Sequence, residues 1–418
     1  MKNLGLTYCT NVHPLGDWAG WQETIGRFGA AVRSELACPT LPMGLWFPES
    51  VIREMNRDPG AAQARLVSLL AEQDLTAFTC NAFPYGNFHD RVVKTKVYHP
   101  DWTTPERLAY TVSCARLLAA LVPAGGEGSV STLPLGWRAG WTGEHFRAAA
   151  RNLCAWVKEA RALAGKEGRI IRLGLEPEPG CALETIDQVL DFWDRYLRPA
   201  ASAAGISDRD RDAHCGLCYD TCHQAVQFED AVASLDRLAA AGIPIVKMQL
   251  SSALEFAPDP DRSTLHSRRR FVEERFLHQT RVRTPDGIIS FDDLPDALDG
   301  GEGGSGARPG TPGLDIWAHP WRVHFHLPID SSRMLQDAAI STTRGEMLKA
   351  YRHALARDLC RHFEVETYTW SVLPEAHRPA DDAGLARGIA RELRFVLDNT
   401  PDPYAARLAG KGGMDPNA

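Results

Sequence analysis

The sequence predicts an α/β protein whose main domain is a (β/α)8, or TIM, barrel. Eight short strand-like runs alternate along the chain with amphipathic helical patterns, which is the rhythm of this fold. Acidic and imidazole side chains follow several of these runs directly, at the positions where such barrels carry their active sites. A doubly wound open sheet is the competing fold, but the segment Tyr8–Pro14 after the first run lacks its glycine-rich phosphate loop.

The strand-like runs are short and apolar, as expected for a buried parallel sheet. They cover Leu4–Cys9, Gly44–Phe47, Thr76–Cys80, Gly128–Thr132, Ile171–Glu176, Cys215–Asp220, Ile245–Leu250 and Phe363–Tyr368. The helical patterns cover Trp18–Ala37, Val51–Met55, Ala62–Glu72, Pro105–Leu121, Gly143–Ala164, Ala182–Leu197, Phe228–Ala240, Arg344–Arg361 and Ala383–Asn399. Thr104 before Pro105 is a typical helix start, and Gly165 and Gly242 mark the ends of predicted helices.

A long segment interrupts this rhythm between the seventh strand and the last. We expect an insertion at about 255–330, with a basic helix near Arg268–Phe276 and a further strand at Trp321–Leu327. Leu277–Arg283 and Gly287–Phe291 predict a hairpin within it. The glycine-rich run 299–313 predicts a flexible loop. The barrel domain is expected to span 1–399, followed by a disordered tail over 400–418.

Composition excludes several classes of function. The 418-residue chain carries a formal net charge of -7, which argues against a nucleic-acid partner. No apolar run of about eighteen residues predicts a membrane span, and the N-terminus shows no signal peptide, so we expect a cytoplasmic protein. The 10 cysteines are scattered and are expected to be reduced and buried. Zinc or redox chemistry at Cys215, Cys218 and Cys222 is the weaker alternative, because no second CxxC motif accompanies them.

Polar side chains at the strand ends are the candidates for chemistry. They are His13 after the first strand, Asn81 and Tyr85 after the third, Glu176 and Glu178 after the fifth, Asp220 and His223 at the sixth, Lys247 and Gln249 in the seventh, His324 and His326 in the inserted strand, and Glu364, Glu366 and Trp370 at the last. Burying so many ionisable groups without partners is costly. A shared divalent cation, Mn²⁺, Mg²⁺, Co²⁺ or Zn²⁺, is the economical solution.

Each candidate also has a structural alternative. A single acid at a strand end often caps the next helix or pairs with arginine. Glu178 fits a first-turn dipole partner, His13 fits a loop hydrogen bond, and a His-x-His pair in a strand is often not a metal site. Tryptophans mostly pack in the core, although Trp370, just past the last strand, is the preferred ligand-facing one.

The motifs Glu176-Pro-Glu178 and Asp220-Thr-Cys-His223 resemble the xylose isomerase-like superfamily of TIM barrels, which includes sugar isomerases, ketose epimerases and endonuclease IV-type proteins. More narrowly, Gly5–Pro14, Asn81–Gly86, Val323–Pro328 and Glu364–Trp370 resemble the EboE-type metabolite-traffic proteins. The narrower resemblance implies partners encoded in the same operon, among them a membrane prenyltransferase-like protein, and a link to metabolite export.

The resemblance implies a metal site of Glu176, Asp220 and Glu366, completed by Gln249 and one of His324 and His326. Glu178 or Glu364 would be the general base, with His223 orienting substrate or moving a proton. His13, Asn81, Tyr85, Lys247 and Trp370 would bind substrate. Two departures stand out, since the superfamily's epimerases carry a histidine or acid where this chain has Gln249, and its sugar isomerases carry a lysine where it has Glu178.

These residues imply a metal-dependent isomerase or epimerase acting on a sugar- or polyol-like metabolite. The first alternative is a non-catalytic protein that binds and hands over a metabolite while retaining the barrel. The second is a metal hydrolase of the endonuclease IV kind, which the chain's acidity disfavours.

Overall fold

A computed structural model describes residues 4–299, 315–335, 337–402 and 404–408. Its strands are β1 (Gly5–Cys9), β2 (Leu41–Trp46), β3 (Leu75–Asn81), β4 (Glu127–Thr132), β5 (Ile170–Leu175), β6 (Cys215–Asp220), β7 (Ile245–Leu250), β8 (Ser252–Phe256), β9 (Thr280–Thr284), β10 (Gly287–Phe291), β11 (Trp321–Leu327), β12 (Ile340–Thr342) and β13 (His362–Val365). Strands β1 to β7 and β13 form a closed parallel barrel, which confirms the predicted fold.

Helices surround the barrel. They are α1 (Trp18–Leu36), α2 (Glu49–Met55), α3 (Pro59–Glu72), α4 (Pro105–Leu121), α5 (Gly143–Glu167), α6 (Ile186–Phe192), α7 (Arg198–Ala203), α8 (Asp208–His214), α9 (Thr221–Val226), α10 (Ala231–Ala240), α11 (Leu265–Arg269), α12 (Leu294–Leu298), α13 (Arg344–Ala356), α14 (Asp382–Asp398) and α15 (Ala405–Leu408). No described helix combines the length and apolar character needed to cross a membrane.

Local sequence explains where several elements begin and end. Thr104 caps α4 by accepting a hydrogen bond from the backbone of Arg107, with Pro105 in the first turn as expected. The helix predicted from Ala182 begins only at Ile186, because Thr185 and Gln188 form a capping box there. Strand β6 is buried along its whole length, as the apolar run predicts for a parallel strand.

The last barrel strand is shorter than predicted and ends at Val365. Glu366 still continues the ladder, since its backbone N–H donates to Leu250 O at 3.2 Å. The chain then turns into a short 3₁₀ helix at Tyr368–Ser371. Glu366 therefore lies at the rim of the barrel, where its side chain meets the ends of other strands.

The insertion is larger than predicted and forms its own antiparallel sheet in the order β10-β9-β11-β8-β12. The predicted hairpin is confirmed by the β9–β10 pairing, and β11 coincides with the predicted strand. The basic helix predicted near Arg268–Phe276 is corrected, since the observed helix α11 already ends at Arg269. The Arg268 guanidinium is buried over the rings of Trp317 and Trp321 and anchors α11.

The predicted glycine-rich loop lies, apart from Asp299, outside the described residues. Within the predicted tail, Ala405–Leu408 form α15, and Thr400 Oγ1 lies 2.7 Å from Tyr351 Oη. Residues 409–418 lie outside the described part of the chain. The described cysteines are free thiols, and all except Cys38 are buried, as expected.

Candidate metal and catalytic site

Three carboxylates meet at the carboxyl-terminal rim of the barrel. Glu176 follows β5, Asp220 ends β6 and Glu366 follows β13, so the closed barrel brings together side chains far apart in sequence. Ligand oxygens of the three lie within 4.8 Å of one another. The side chains are almost fully buried, with exposed fractions of 2%, 0% and 4%. We call this group the carboxylate cluster.

The carboxylate cluster is short of hydrogen-bond donors. Asp220 Oδ1 accepts from Ser251 Oγ at 2.7 Å and from the His223 backbone N–H at 2.9 Å. Glu366 Oε1 accepts from two asparagine amides, those of Asn11 and Asn81, each at 2.8 Å. Asp220 Oδ2 and Glu176 Oε2, by contrast, are buried without a hydrogen-bond partner among the described residues.

Burial and mutual repulsion therefore act on these carboxyl groups together. Burial first, and then the charges of Glu366 and Asp220, raise the pKa of Glu176 well above its usual range. Burial, followed by the charge of Asp220, raises the pKa of Glu366 to about 8. The unpartnered buried oxygens of Glu176 and Asp220, next to the carboxylate of Glu366, fit a divalent cation, which would supply the missing positive charge. Glu176, Asp220 and Glu366 are thus the residues that would hold one.

Glu178 lies beside this cluster on the wall of a cavity. Its Oε1 accepts hydrogen bonds from Tyr98 Oη at 2.7 Å and from Gln279 Nε2 at 3.3 Å. Burial is the main cause that raises the pKa of Glu178 to about 8, against the opposing effect of these two donors. The arrangement holds a carboxyl group that titrates near neutral pH at the edge of the cavity.

Three histidines face one another above the carboxylate cluster. His223 lies in α9, whereas His324 and His326 lie on one face of the inserted strand β11. His223 Nε2 lies 3.1 Å from His324 Nε2 and 3.3 Å from His326 Nε2. Burial is the main cause that lowers the pKa of all three, to about 4 for His223, so the imidazoles are neutral. We call these residues the imidazole trio.

The cavity opens over the carboxylate cluster and is small, with a volume of about 50 Å³. Both polar side chains and aromatic rings line it. The residues that line it are Asn11, Asn81, Phe83, Pro84, Phe88, Val93, Lys94, Val97, Tyr98, Glu176, Glu178, His223, Phe276, Leu277, His324, Glu366 and Tyr368.

Gln249, Lys247 and Glu364 lie deeper, in the interior layer of the barrel. Lys247 Nζ lies 2.6 Å from Glu364 Oε1, and both side chains have no exposed surface. The Gln249 amide lies beside this pair, and with its oxygen and nitrogen exchanged it donates to Glu364 Oε1 and accepts from Lys247 Nζ, both at 3.3 Å. The Gln249 side chain therefore faces this ion pair, and the prediction that it completes the shell of a metal is corrected. The ion pair also occupies Glu364, which was predicted as a general base, and Lys247, which was predicted to bind substrate. Both predictions are corrected.

Three predicted substrate contacts also lie away from the cavity. His13 stacks on Phe28 with ring centroids 4.0 Å apart. Tyr85 packs edge-on against Tyr110, and Trp370 lies so close to Gly388 that a Cβ there would meet its ring at 2.9 Å. These assignments are corrected, because the side chains turn into the layer between the barrel and its helices.

Four further residues of the site were not predicted from the sequence. Asn11 follows the first strand and obeys the same rule of polar groups at strand ends that identified Glu176. Tyr98 lies in the connection before α4 and Gln279 immediately before β9, so no periodicity points to either. Ser251 is a single residue between β7 and β8 and carries no local signal.

No family model and no curated protein matches this chain. Among solved structures, a xylose isomerase-like TIM barrel protein from Mycobacterium smegmatis in complex with magnesium aligns over 97% of this chain and 98% of its own, with 11% identity and a TM-score of 0.48. The IolI protein with a bound zinc atom aligns over 95% and 98%, with 11% identity and a TM-score of 0.46. An L-ribulose 3-epimerase aligns over 96% and 99%, with 14% identity and a TM-score of 0.44.

Proposed function

We propose that this protein is a divalent-metal-dependent isomerase or epimerase that acts on a sugar- or polyol-like metabolite. The observation that carries the proposal is the carboxylate cluster, in which Glu176 and Asp220 keep buried oxygens that have no hydrogen-bond partner in the described part of the chain. A bound divalent cation would polarise a substrate oxygen and make the adjacent carbon-bound proton more acidic. The cavity above the cluster gives a small metabolite access to it.

Glu178 is the proposed general base. It lines the cavity, and Tyr98 and Gln279 hold its Oε1 in place. A carboxyl group with a pKa of about 8 is suited to take up and return a proton near neutral pH. Asn81 and His223 line the same cavity and would orient substrate oxygens by hydrogen bonding.

Proton exchange in heavy water tests this proposal. The full chain, loaded with Mn²⁺ or Co²⁺, is incubated in D₂O with a panel of ketoses, aldoses and inositols, and deuterium incorporation is followed by NMR. We expect one substrate to exchange a carbon-bound proton, and Glu178→Gln to slow that exchange by about 10²- to 10⁴-fold without losing metal. Glu144→Gln, at an exposed position in α5, is the matched control. Equal exchange by Glu178→Gln and wild type would refute the role of this base.

The aromatic residues that line the cavity favour one second candidate, a protein that binds and hands over a metabolite. Four aromatic residues of the cavity lining suit an apolar portion of a ligand; they are Phe83, Phe88, Phe276 and Tyr368. The resemblance of Asn81–Gly86 to metabolite-traffic proteins supports the same candidate. A ligand that copurifies with the protein and exchanges no proton in D₂O would favour this second function.

A further inference from the structure

The cavity over the carboxylate cluster is too small for a whole sugar. Its volume is about 50 Å³. A buried water needs about 10–15 Å³ of such space, so the cavity has room for about three to five waters. It therefore holds a short fragment, such as two adjacent carbons with their oxygens. The remainder of any substrate that reaches the cluster has to extend through the mouth of the cavity.

The exposure of the lining residues locates this mouth. Lys94, Val97 and Leu277 are partly exposed, whereas the other lining residues are buried. Glu176 and Glu366 are among the buried ones, so the carboxylate cluster lies at the closed end. Two of the three mouth residues are apolar, and they come from the connection between β3 and α4 and from the insertion.

Aromatic rings continue this apolar surface inward. Phe276, next to Leu277 in the chain, has its ring centroid 4.9 Å from that of Phe88 and 5.0 Å from that of Tyr368. The Phe88 and Tyr368 centroids are also 5.0 Å apart. At its other end, Tyr368 Oη lies 3.3 Å from His324 Nε2. The three rings thus connect the mouth with the polar end of the cavity, and their faces and edges suit an apolar group.

The lysine at the mouth is already paired. Lys94 Nζ lies 2.5 Å from Asp293 Oδ2 and 3.5 Å from the carbonyl oxygen of Glu273. Lys94 is the one lysine or arginine among the described residues that line the cavity. A phosphate at the mouth would therefore have to compete with Asp293 for this ammonium group, and the carboxylates at the closed end would repel it.

We propose that the metabolite is amphiphilic, with vicinal oxygens at its reacting end and an uncharged aryl or alkyl substituent at the other. The substituent lies at the mouth against Val97, Leu277 and Phe276. The backbone N–H groups of Val93 and Lys94 donate to Arg275 O at 2.8 and 2.9 Å, which joins the two walls of this subsite. The placement of the reacting end rests on the proposed function, whereas the subsite rests on the mouth residues themselves.

Three probes that share a vicinal diol test this subsite. They are glycerol, glycerol phosphate with its diol left free, and phenylethylene glycol, in which a phenyl group replaces the hydroxymethyl group of glycerol. Dissociation constants are measured by NMR titration of the full chain loaded with Mg²⁺. We expect phenylethylene glycol to bind about 10- to 100-fold more tightly than glycerol, and glycerol phosphate to bind no more tightly.

Leu277→Ser is the test variant, at a partly exposed position of the mouth. It should reduce the preference for the phenyl probe to below about 3-fold, because the apolar contact is lost. Val67→Ser is the matched control, since Val67 is 42% exposed in α3, and it should keep the full preference. Circular dichroism checks that the variants fold, and the wild-type ratio decides the matter if Leu277→Ser does not.

Equal binding of phenylethylene glycol and glycerol would overturn the inference, and so would failure of the phenyl probe to bind. Tighter binding of glycerol phosphate that Lys94→Met abolishes would overturn it too, and would identify an anion subsite instead. The ratio of two affinities requires no turnover. Absence of proton exchange in D₂O would therefore refute the proposed function and leave this preference in place.

Discussion

Lys247 Nζ and Glu364 Oε1 form a fully buried ion pair, 2.6 Å apart, across the interior of the barrel. Ser131 Oγ lies 3.2 Å from the ammonium group, and Thr7 Oγ1 donates to the other Glu364 oxygen at 3.0 Å. Thr79 Oγ1 donates to the same oxygen. With both charges paired and hydrogen-bonded, the cost of burying them is offset.

Removing one partner of this pair should be far worse than removing both. Lys247→Met leaves the Glu364 charge buried and uncompensated, so we expect the free energy of unfolding to fall by about 3–5 kcal/mol. The double variant Lys247→Met/Glu364→Gln should recover a large part of that loss, because no buried charge remains. Urea denaturation measures all three proteins.

The control for this pair is the exposed lysine Lys349, which is 62% exposed beside Glu346. Lys349→Met should change the stability by less than about 0.5 kcal/mol. A double variant no more stable than Lys247→Met would contradict the assignment of the loss to an unpaired charge.

Gly44 makes room for the Glu364 carboxylate. A Cβ built at Gly44 would collide with the Glu364 carboxyl group and approach Thr79 Oγ1 to 2.8 Å. Gly44→Ala is therefore expected to displace the carboxylate and to destabilise the fold by about 1–3 kcal/mol. Gly86→Ala is the control, since nothing lies within 4 Å of its Cβ position. Thermal unfolding compares the two, and equal melting temperatures would disprove the steric argument.

The carboxylate cluster could be predicted from the sequence because barrel active sites lie at the carboxyl ends of strands, and those ends can be read from the apolar runs. Cys215–Asp220 was identified with its observed bounds, and Glu176 and Glu366 follow the same logic at neighbouring strands. The same reasoning cannot distinguish a residue at the rim of the barrel from one in its interior. Lys247 and Gln249 share the inward face of β7, and whether they reach the rim depends on the stagger of the strands, which is a property of the closed barrel.

Contacts between the inserted sheet and the barrel were also beyond sequence analysis. His324 and His326 were identified as a His-x-His pair, but their partner His223 is separated from them by 101 and 103 residues. Gln279 belongs to no sequence pattern, and its position near His324 depends on the pairing of β9 with β11. Local patterns identify elements, whereas the trio depends on how the second sheet packs over the barrel.

Glu392 should make stability depend on pH. This buried residue of α14 accepts hydrogen bonds from Thr367 Oγ1 at 2.6 Å and from the Ile329 backbone N–H at 3.0 Å. Burial, assisted by the nearby Asp330 charge, raises its pKa from 4.5 to about 8. Between these values the folded state keeps a proton that the unfolded chain has released, so the contribution of Glu392 to stability falls as pH rises.

Glu392→Gln removes this titration. We expect the difference in unfolding free energy between variant and wild type to shift in favour of the variant from pH 4.5 to pH 8, by up to about 4 kcal/mol. Urea denaturation at a series of pH values measures it, with Glu72→Gln, exposed in α3, as the control. A difference that stays constant over this range would show that Glu392 has an ordinary pKa.

The carboxylate cluster predicts opposite effects of one substitution in the absence and presence of metal. Without a cation, Glu176→Gln relieves repulsion from Asp220 and Glu366 and should raise the free energy of unfolding by about 1–3 kcal/mol. With divalent metal at about 100 times its dissociation constant, wild type should gain about 2.7 kcal/mol, and the variant should lose most of that gain. Melting temperatures with and without chelator measure both effects. Asp398→Asn, at an exposed position at the end of α14, should respond to neither condition. If the variant were less stable than wild type in chelator as well, repulsion among the three acids would not be the dominant force at the site.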